Sequence, residues 1–383
     1  MKILKFLIET YPEAARHLNN SGDLPIHYAA LWRSPEFCRV LIEAYPGSER
    51  MTEKSQGVLP LHLACARNSF DTVEQIFWLY PDAMNHATIG GVYPIHGAIC
   101  NMSARDDPMT AAETVQFLLD RDANVSVKLQ SFQETSLIQY VCEQEYNDSN
   151  IEAGIQIIGA IYDAHPEAIE DDDFASDIDS FDQQVQALIN SELVYARQAK
   201  DLRLMNTPDD NRQLPLHKAL QNNVRLGSIK LLVKGNPSAL GYPDDSGVIP
   251  LHLACQHHDC ATVVQYLLDL DERTLRAVDC DNNTALHYAC LGAKYDTIAL
   301  LLEKYDALSV SKKNAQNMLP IELLWESAAV LDRESIEYTD SVFRLLKAHP
   351  EMIMNGSMNM KQQVTSGGGP SQNGKKRKYG DTT

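Results

Sequence analysis

The 383-residue sequence predicts an all-α fold, an α-solenoid of about eight short helical repeats with a partial repeat ahead of them. Three observations predict it. A four-residue phrase recurs as LPIH (24–27), LPLH (59–62), YPIH (93–96), TSLI (135–138), LPLH (214–217), IPLH (249–252), TALH (284–287) and LPIE (319–322), mostly 34 or 35 residues apart. Self-similarity at a fixed period of this size marks stacked supersecondary units. Five positions before the histidine stands Gly22, Gly57, Gly91, Gly247 or Asn282, with Asn317 in that place before Glu322. Gly and Asn tolerate the positive φ of a tight turn. After each phrase, apolar residues return at helical spacing.

The elements follow in order. At the start, Ile3, Leu4, Phe6, Leu7 and Ile8 fit a second helix whose first helix is not in the sequence. We read this as a truncated or misplaced start, the other reading being an apolar face that binds something. The first helix opens at the motif proline where the phrase has one, a residue whose fixed φ suits a first helical turn, and is short and rich in Ala and Cys. The second helix carries Phe37, Val40, Leu41; Val73, Ile76, Phe77; Val115, Leu118, Leu119; Ile229, Leu232, Val233; Val263, Leu267, Leu268; or Ile298, Leu301, Leu302. Pro12, Pro46, Pro81, Pro166, Pro237 and Pro350 stop six of the second helices. Two copies, with Gln133 and Arg212 at the turn position, depart from the Gly/Asn rule.

The period divides the chain into a partial repeat (1–21), four repeats (22–169), an acidic insert with a helix or degenerate repeat (170–208), four further repeats (209–354) and a polar, basic tail (355–383) expected to be disordered. Extra residues also stretch one spacing around Met102 to Pro108. Within the insert, Val185, Leu188, Ile189, Val194 and Leu202 lie on one helical stripe.

These phrases resemble the ankyrin repeats, a unit of about 33 residues made of a β-turn and two helices with a T-P-L-H-x-A signature. The resemblance runs from residue 1 to about 354. Threonine survives only as Thr135 and Thr284, so a hydroxyl cap on the first helix is lost in the other copies. Segments such as Tyr11-Pro12-Glu13-Ala14 and His165-Pro166-Glu167-Ala168 replace the family's usual loop after the second helix. The resemblance implies a non-enzymatic protein-binding scaffold or adaptor whose partners lie on the concave face made by finger loops and first helices. Five residues after each motif histidine the side chains vary, which makes Trp32, Arg67, Asn101, Asn222 and His257 the candidate contacts.

Chemistry competes with structure at several places. His27, His62, His96, His217, His252 and His287 recur at the repeat period, whereas catalysis needs one convergent cluster. They are read as scaffold: a neutral imidazole donates from one nitrogen and accepts at the other, bonding loop backbone. In HLACQHHDC, His252, Cys255, His257, His258 and Cys260 look most like a metal site, but the cysteine spacing is not that of a zinc knuckle. The acidic run 170–182 lacks the glycine and terminal glutamate of a calcium loop and reads as a solvated insert, with Ser176 and Ser180 as phosphorylation candidates. No phosphate loop, nucleophile elbow or metalloprotease helix appears, so no catalytic residue, cofactor or small-molecule substrate is expected.

Charge narrows the partners. The chain carries −19; residues 356–383 hold five Lys/Arg against one Asp, or +4, which leaves −23 on residues 1–355. Such a body repels phosphate backbones, against direct nucleic-acid binding. Eight dispersed cysteines lack the density of a disulfide framework and suggest reduced thiols in cytosol or nucleus. Lys375, Lys376, Arg377 and Lys378 are a nuclear-import candidate, and a nuclear co-regulator is the alternative reading, beside that of a repeat segment from a larger protein. No stretch approaches the length of a membrane span.

Overall fold

A computed structural model of the chain describes residues 1–122, 136–170, 177–305, 310–327 and 335–348. The chain divides into two compact units, Met1–Asp245 and Ser246–Thr383.

In the first unit, helices come in pairs after a leading single one. They are α1 (Lys2–Thr10), α2 (Pro25–Trp32), α3 (Pro35–Ala44), α4 (Pro60–Arg67), α5 (Phe70–Leu79), α6 (Pro94–Cys100) and α7 (Met109–Arg121), followed by α8 (Leu137–Cys142) and α9 (Ile151–Ala164). First helices stack on first helices, α2 on α4 on α6, and second on second, α1 on α3 on α5 on α7 on α9. Ala64 and Cys65 are wholly buried and small, which lets α4 sit close to its neighbours. Val73, Ile76 and Phe77 face the same core from α5. Each large side chain so buried contributes about 2 kcal/mol before entropy is counted.

The proline segments after four second helices fold into short 3₁₀ turns, Pro12–Arg16, Pro81–Asn85, Pro166–Glu170 and Pro237–Gly241. Proline ends one helix and opens the next turn, because its missing N–H is an orphan donor at that position anyway.

The insert forms one 18-residue helix, α10 (Gln183–Lys200), and a short α11 (Leu202–Asn206) begun by Asp201, whose carboxylate accepts the Arg203 and Leu204 N–H groups. After it come α12 (Pro215–Gln221) and α13 (Leu226–Gly235). Helix α9 packs directly on α13, and α10 packs on both. A buried polar chain fixes this junction. Ser228 Oγ donates to Glu192 Oε2 (2.5 Å) and lies 2.8 Å from the Tyr162 hydroxyl. Burial raises the pKa of Glu192, with the Ser228 bond opposing it. Beside them Arg225 pairs with Asp163 (3.1 Å), which also accepts the Gly227 N–H (2.8 Å). A Cβ at Gly227 would come within 2.7 Å of the Tyr162 ring, so only glycine allows this approach.

The second unit repeats the pairing with α14 (Pro250–His257), α15 (Ala261–Leu270), α16 (Ala285–Leu291), α17 (Tyr295–Lys304), α18 (Pro320–Ser327) and α19 (Ile336–Ala348). Its first helices stack α14 on α16 on α18, and its second α15 on α17 on α19. No helix among the described residues is long and apolar enough to cross a membrane.

Candidate protein-interaction surface

Among the described residues, seven finger turns stand just before first helices, and most are built twice over. Their tips take positive φ at Gly22, Gly57, Gly91 and Gly247, and also at Asn282 and Asn317. Arg212 adopts the same conformation (φ 58°), the one long side chain to do so at a described finger tip. It reaches the Tyr242 ring and pairs with Asp245 at 3.8 Å.

A side-chain oxygen then staples most of these turns shut. Asn19 Oδ1 accepts the Ser21 and Asp23 N–H groups, Asp209 those of Asn211 and Gln213, Asp279 those of Asp281 and Asn283, and Asn314 those of Gln316 and Met318. Glu53 does this for Ser55, Gln56 and Val58; burial opposes its charge, yet these bonds hold its carboxyl down to about 2. Successive turns also bond to each other, Ile89 N–H to Gln56 O (2.8 Å) and Cys280 N–H to Ser246 O (2.9 Å) among them.

The motif histidines tie finger to helix. Nδ1 of His27, His62, His96, His217, His252 and His287 accepts the backbone N–H three residues earlier at 3.1–3.3 Å. An amide can only donate, so Nδ1 is bare and the proton sits on Nε2. In His27, His62, His217, His252 and His287 that N–H reaches forward to the carbonyls of Val58, Val92, Tyr242, Ala277 and Met318 respectively, at 3.1–3.3 Å. Burial lowers the pKa of His27 and His287 and takes His62 and His96 to about 4. A second proton would face the incoming amide, which explains the neutral form. At the last copy Glu322 Oε2 accepts the Leu319 N–H (2.7 Å), the usual role of an acid at that position.

The first-helix C-termini are capped across repeats. Asn68 Nδ2 donates to the carbonyls of Ala30 and Arg33, each at 2.8 Å, at the end of α2. Arg105, from the stretched segment, donates to Asn68 O (2.8 Å) and Cys65 O at the end of α4. In the second unit Ser327 donates to Leu291 O (2.9 Å).

On this scaffold the five candidate contacts fall out unequally. Trp32 is exposed, and the Arg67 guanidinium lies over its ring at 5.1 Å. Asn101 is half-buried and donates back to Gly97 O (3.3 Å), at the end of α6. Asn222 is exposed and donates to the Tyr195 hydroxyl of α10 (3.2 Å). His257, in the second unit, is half-buried, and burial with the nearby Lys294 lowers its pKa. Only Trp32 and Arg67 therefore meet.

Other surface residues escaped the reading at that one position. Tyr28, directly after His27, is exposed one turn from Trp32, and Ile89 at a finger tip is 78% exposed. In the second unit a cleft of about 270 Å³ is lined by Tyr288, Leu291, Met318 and Leu323 together with Asn283 and Asn314. The varied position directly after each motif histidine (Tyr28, Leu63, Gly97, Lys218, Leu253, Tyr288) was the signal that would have found Tyr28 and Tyr288.

The cysteine-histidine cluster does not converge, since Cys255 is fully buried in the core while Cys260 is exposed. Among the described residues no group of three His, Cys, Asp or Glu is arranged to hold a metal ion. Ser176, Thr135, Gln133, Pro350 and the basic run Lys375, Lys376, Arg377 and Lys378 lie outside the described residues.

The family described as "Ankyrin repeats (3 copies)" matches residues 1–85, 179–274 and 216–316, together more than half of the sequence. The chain belongs to the ankyrin repeat family, whose members are generally protein–protein interaction modules and typically non-enzymatic. Comparison with curated proteins finds no match.

Proposed function

We propose that this chain is a non-enzymatic scaffold or adaptor that grips a protein partner along its finger turns and the exposed side of its first helices. The Arg67–Trp32 stack carries the reading. Among the described residues Arg67 has no carboxylate partner, whereas Arg39, Lys218 and Lys294 each have one. Exposed Trp, Tyr and Arg are the residue types that dominate binding energy at interfaces, and here they stand together on a stapled, rigid frame.

Affinity purification of the full chain with quantitative mass spectrometry tests this. A Trp32→Ala, Arg67→Ala double variant with an unchanged melting temperature should lose at least one partner retained by the unaltered chain. Identical partner sets would overturn the reading for this patch.

A further inference from the structure

A cleft of about 410 Å³ opens in the first unit between α10 and the turn that joins α12 to α13, with Ser191, Glu192, Val194, Tyr195, Asn222 and Val224 in its lining. Its α10 wall belongs to the insert, not to the repeated phrase. Glu192 is only 6% exposed, yet it lines this open cleft.

The other buried carboxylates among the described residues are each answered from within. Glu49 lies 3.3 Å from the Arg50 guanidinium, Glu53 accepts several finger N–H groups, and Asp244 accepts the Gln213 amide (3.2 Å). Glu192 takes the Ser228 hydroxyl (2.5 Å) and the Arg225 backbone N–H, while the Arg225 guanidinium is committed to Asp163 (3.1 Å). A carboxylate offers about four acceptor sites, so capacity remains. Burial accordingly raises the pKa of Glu192, whereas that of Glu53 is lowered.

The rest of the lining also presents acceptors. Ser191 Oγ gives its proton to Leu188 O (2.7 Å), and Asn222 turns Nδ2 to the Tyr195 hydroxyl (3.2 Å), which leaves the serine oxygen and Asn222 Oδ1 to accept. The Tyr195 ring adds an aromatic face. Acceptors beside an aromatic ring suit a guanidinium, which is planar, always charged and only donates.

We propose that this cleft receives an arginine side chain of the protein partner, the guanidinium pairing with Glu192 and Asn222 and lying against the Tyr195 ring. The inference rests on the partner-binding reading above. The net charge of −19 draws a basic segment towards the chain.

The probe is N-acetylarginine amide, titrated against the full chain with its valine methyls labelled for NMR. The Val194 and Val224 signals should shift saturably at neutral pH. N-acetylcitrulline amide, similar in shape but uncharged, should bind about tenfold more weakly, and so should N-acetylarginine amide to a Glu192→Gln chain. Glutamine keeps the volume and an oxygen for Ser228, so the melting temperature should hold; a purely packing role for Glu192 would leave the titration unmoved as well. No saturable shift at these two valines, equal binding of the citrulline form, or an unaltered titration of Glu192→Gln overturns the proposal, and the citrulline comparison needs no variant. Replacing Lys375, Lys376, Arg377 and Lys378 by alanine in the unliganded chain separates the sources. Unmoved valine signals leave the cleft to a partner, whereas a shift gives it to the chain's own Arg377 and overturns the proposal. Neither Trp32 nor Arg67 enters these titrations, so their failure leaves the reading of that patch standing.

Discussion

His62 Nε2 lies 3.2 Å from the carbonyl oxygen of Val92, in the following repeat, while its Nδ1 accepts the N–H of Leu59 at 3.3 Å. One neutral ring thus closes its own helix N-terminus and fastens the next finger. Repeated along the chain, this makes the histidines part of the joint between neighbours, where the stability of a repeat array resides.

Stability should therefore fall with acid in a defined window. Unfolded, these rings take up a proton near pH 6.5, while folded His62 and His96 do so only near 4. Between those values the unfolded chain binds more protons, so the stabilisation is complete above about pH 6.5 and each ring removes about 1.4 kcal/mol per pH unit on the way down. Glu53, depressed from 4.5 to about 2, adds a further loss below pH 4.5. Urea unfolding at pH 7.5, 5.5 and 4.5 checks this, and an unchanged midpoint between the first two contradicts it.

Two finger glycines should respond differently to alanine. Gly91 and Gly247 share positive φ, but a Cβ at Gly91 meets nothing within 4 Å whereas one at Gly247 meets the Cys280 nitrogen at 2.9 Å. Gly91→Ala should cost about 1 kcal/mol from backbone strain. Gly247→Ala should cost more, by about another 1 kcal/mol, because the backbone must also move. Thermal unfolding of the two variants gives the order.

Removing the cross-repeat caps should loosen α2 and α4 selectively. Asn68→Ala leaves the carbonyls of Ala30 and Arg33 without that donor, and Arg105→Ala does the same for Cys65 and Asn68. Each should cost about 1–2 kcal/mol. Hydrogen exchange should speed up at the C-terminal turn of the capped helix, and equal exchange would show the cap to be idle.

Thiol reactivity should split by burial. Cys38, Cys65, Cys142, Cys255 and Cys290 are buried, and burial raises every one of their pKa values, Cys38 and Cys65 to about 12. Iodoacetamide on the native protein should label Cys260 and Cys280 first, with the five buried thiols reacting only after unfolding. Early labelling of Cys255 would contradict its place in the core.

Nuclear import through Lys375, Lys376, Arg377 and Lys378 predicts that deleting residues 375–378 shifts a tagged chain out of the nucleus. An unchanged distribution removes that reading.

Much of this was legible because every repeat solves the same physical problem. Positive φ at Gly57, the proline start at Pro60, the imidazole at His62 and the small Ala64 and Cys65 recur at one period, and the structure puts each to the use its chemistry suggested. A second periodic signal, the turn-stapling oxygens of Asn19, Asp209, Asp279 and Asn314, went unread although it stands eight residues before each phrase end. The junction at α10 was opaque for a different reason. Tyr162, Glu192 and Ser228 are far apart in sequence and occur once, so nothing but the packing of three helices brings them together. Arg105 was hidden likewise, a cap supplied by an irregular segment. Candidate contacts were the least legible: the fifth position after histidine selects Trp32 and Arg67, which meet, but also Asn101, whose amide is turned back on its own helix.

The proposed role of the constant frame is to hold the variable finger-side surface against a protein partner. Hydrogen–deuterium exchange of the chain with and without a captured partner tests it most directly. Protection concentrated in the finger turns and in the first helices bearing Tyr28, Trp32 and Arg67 is the predicted result. Protection confined to the second helices and the 3₁₀ turns behind them would contradict it.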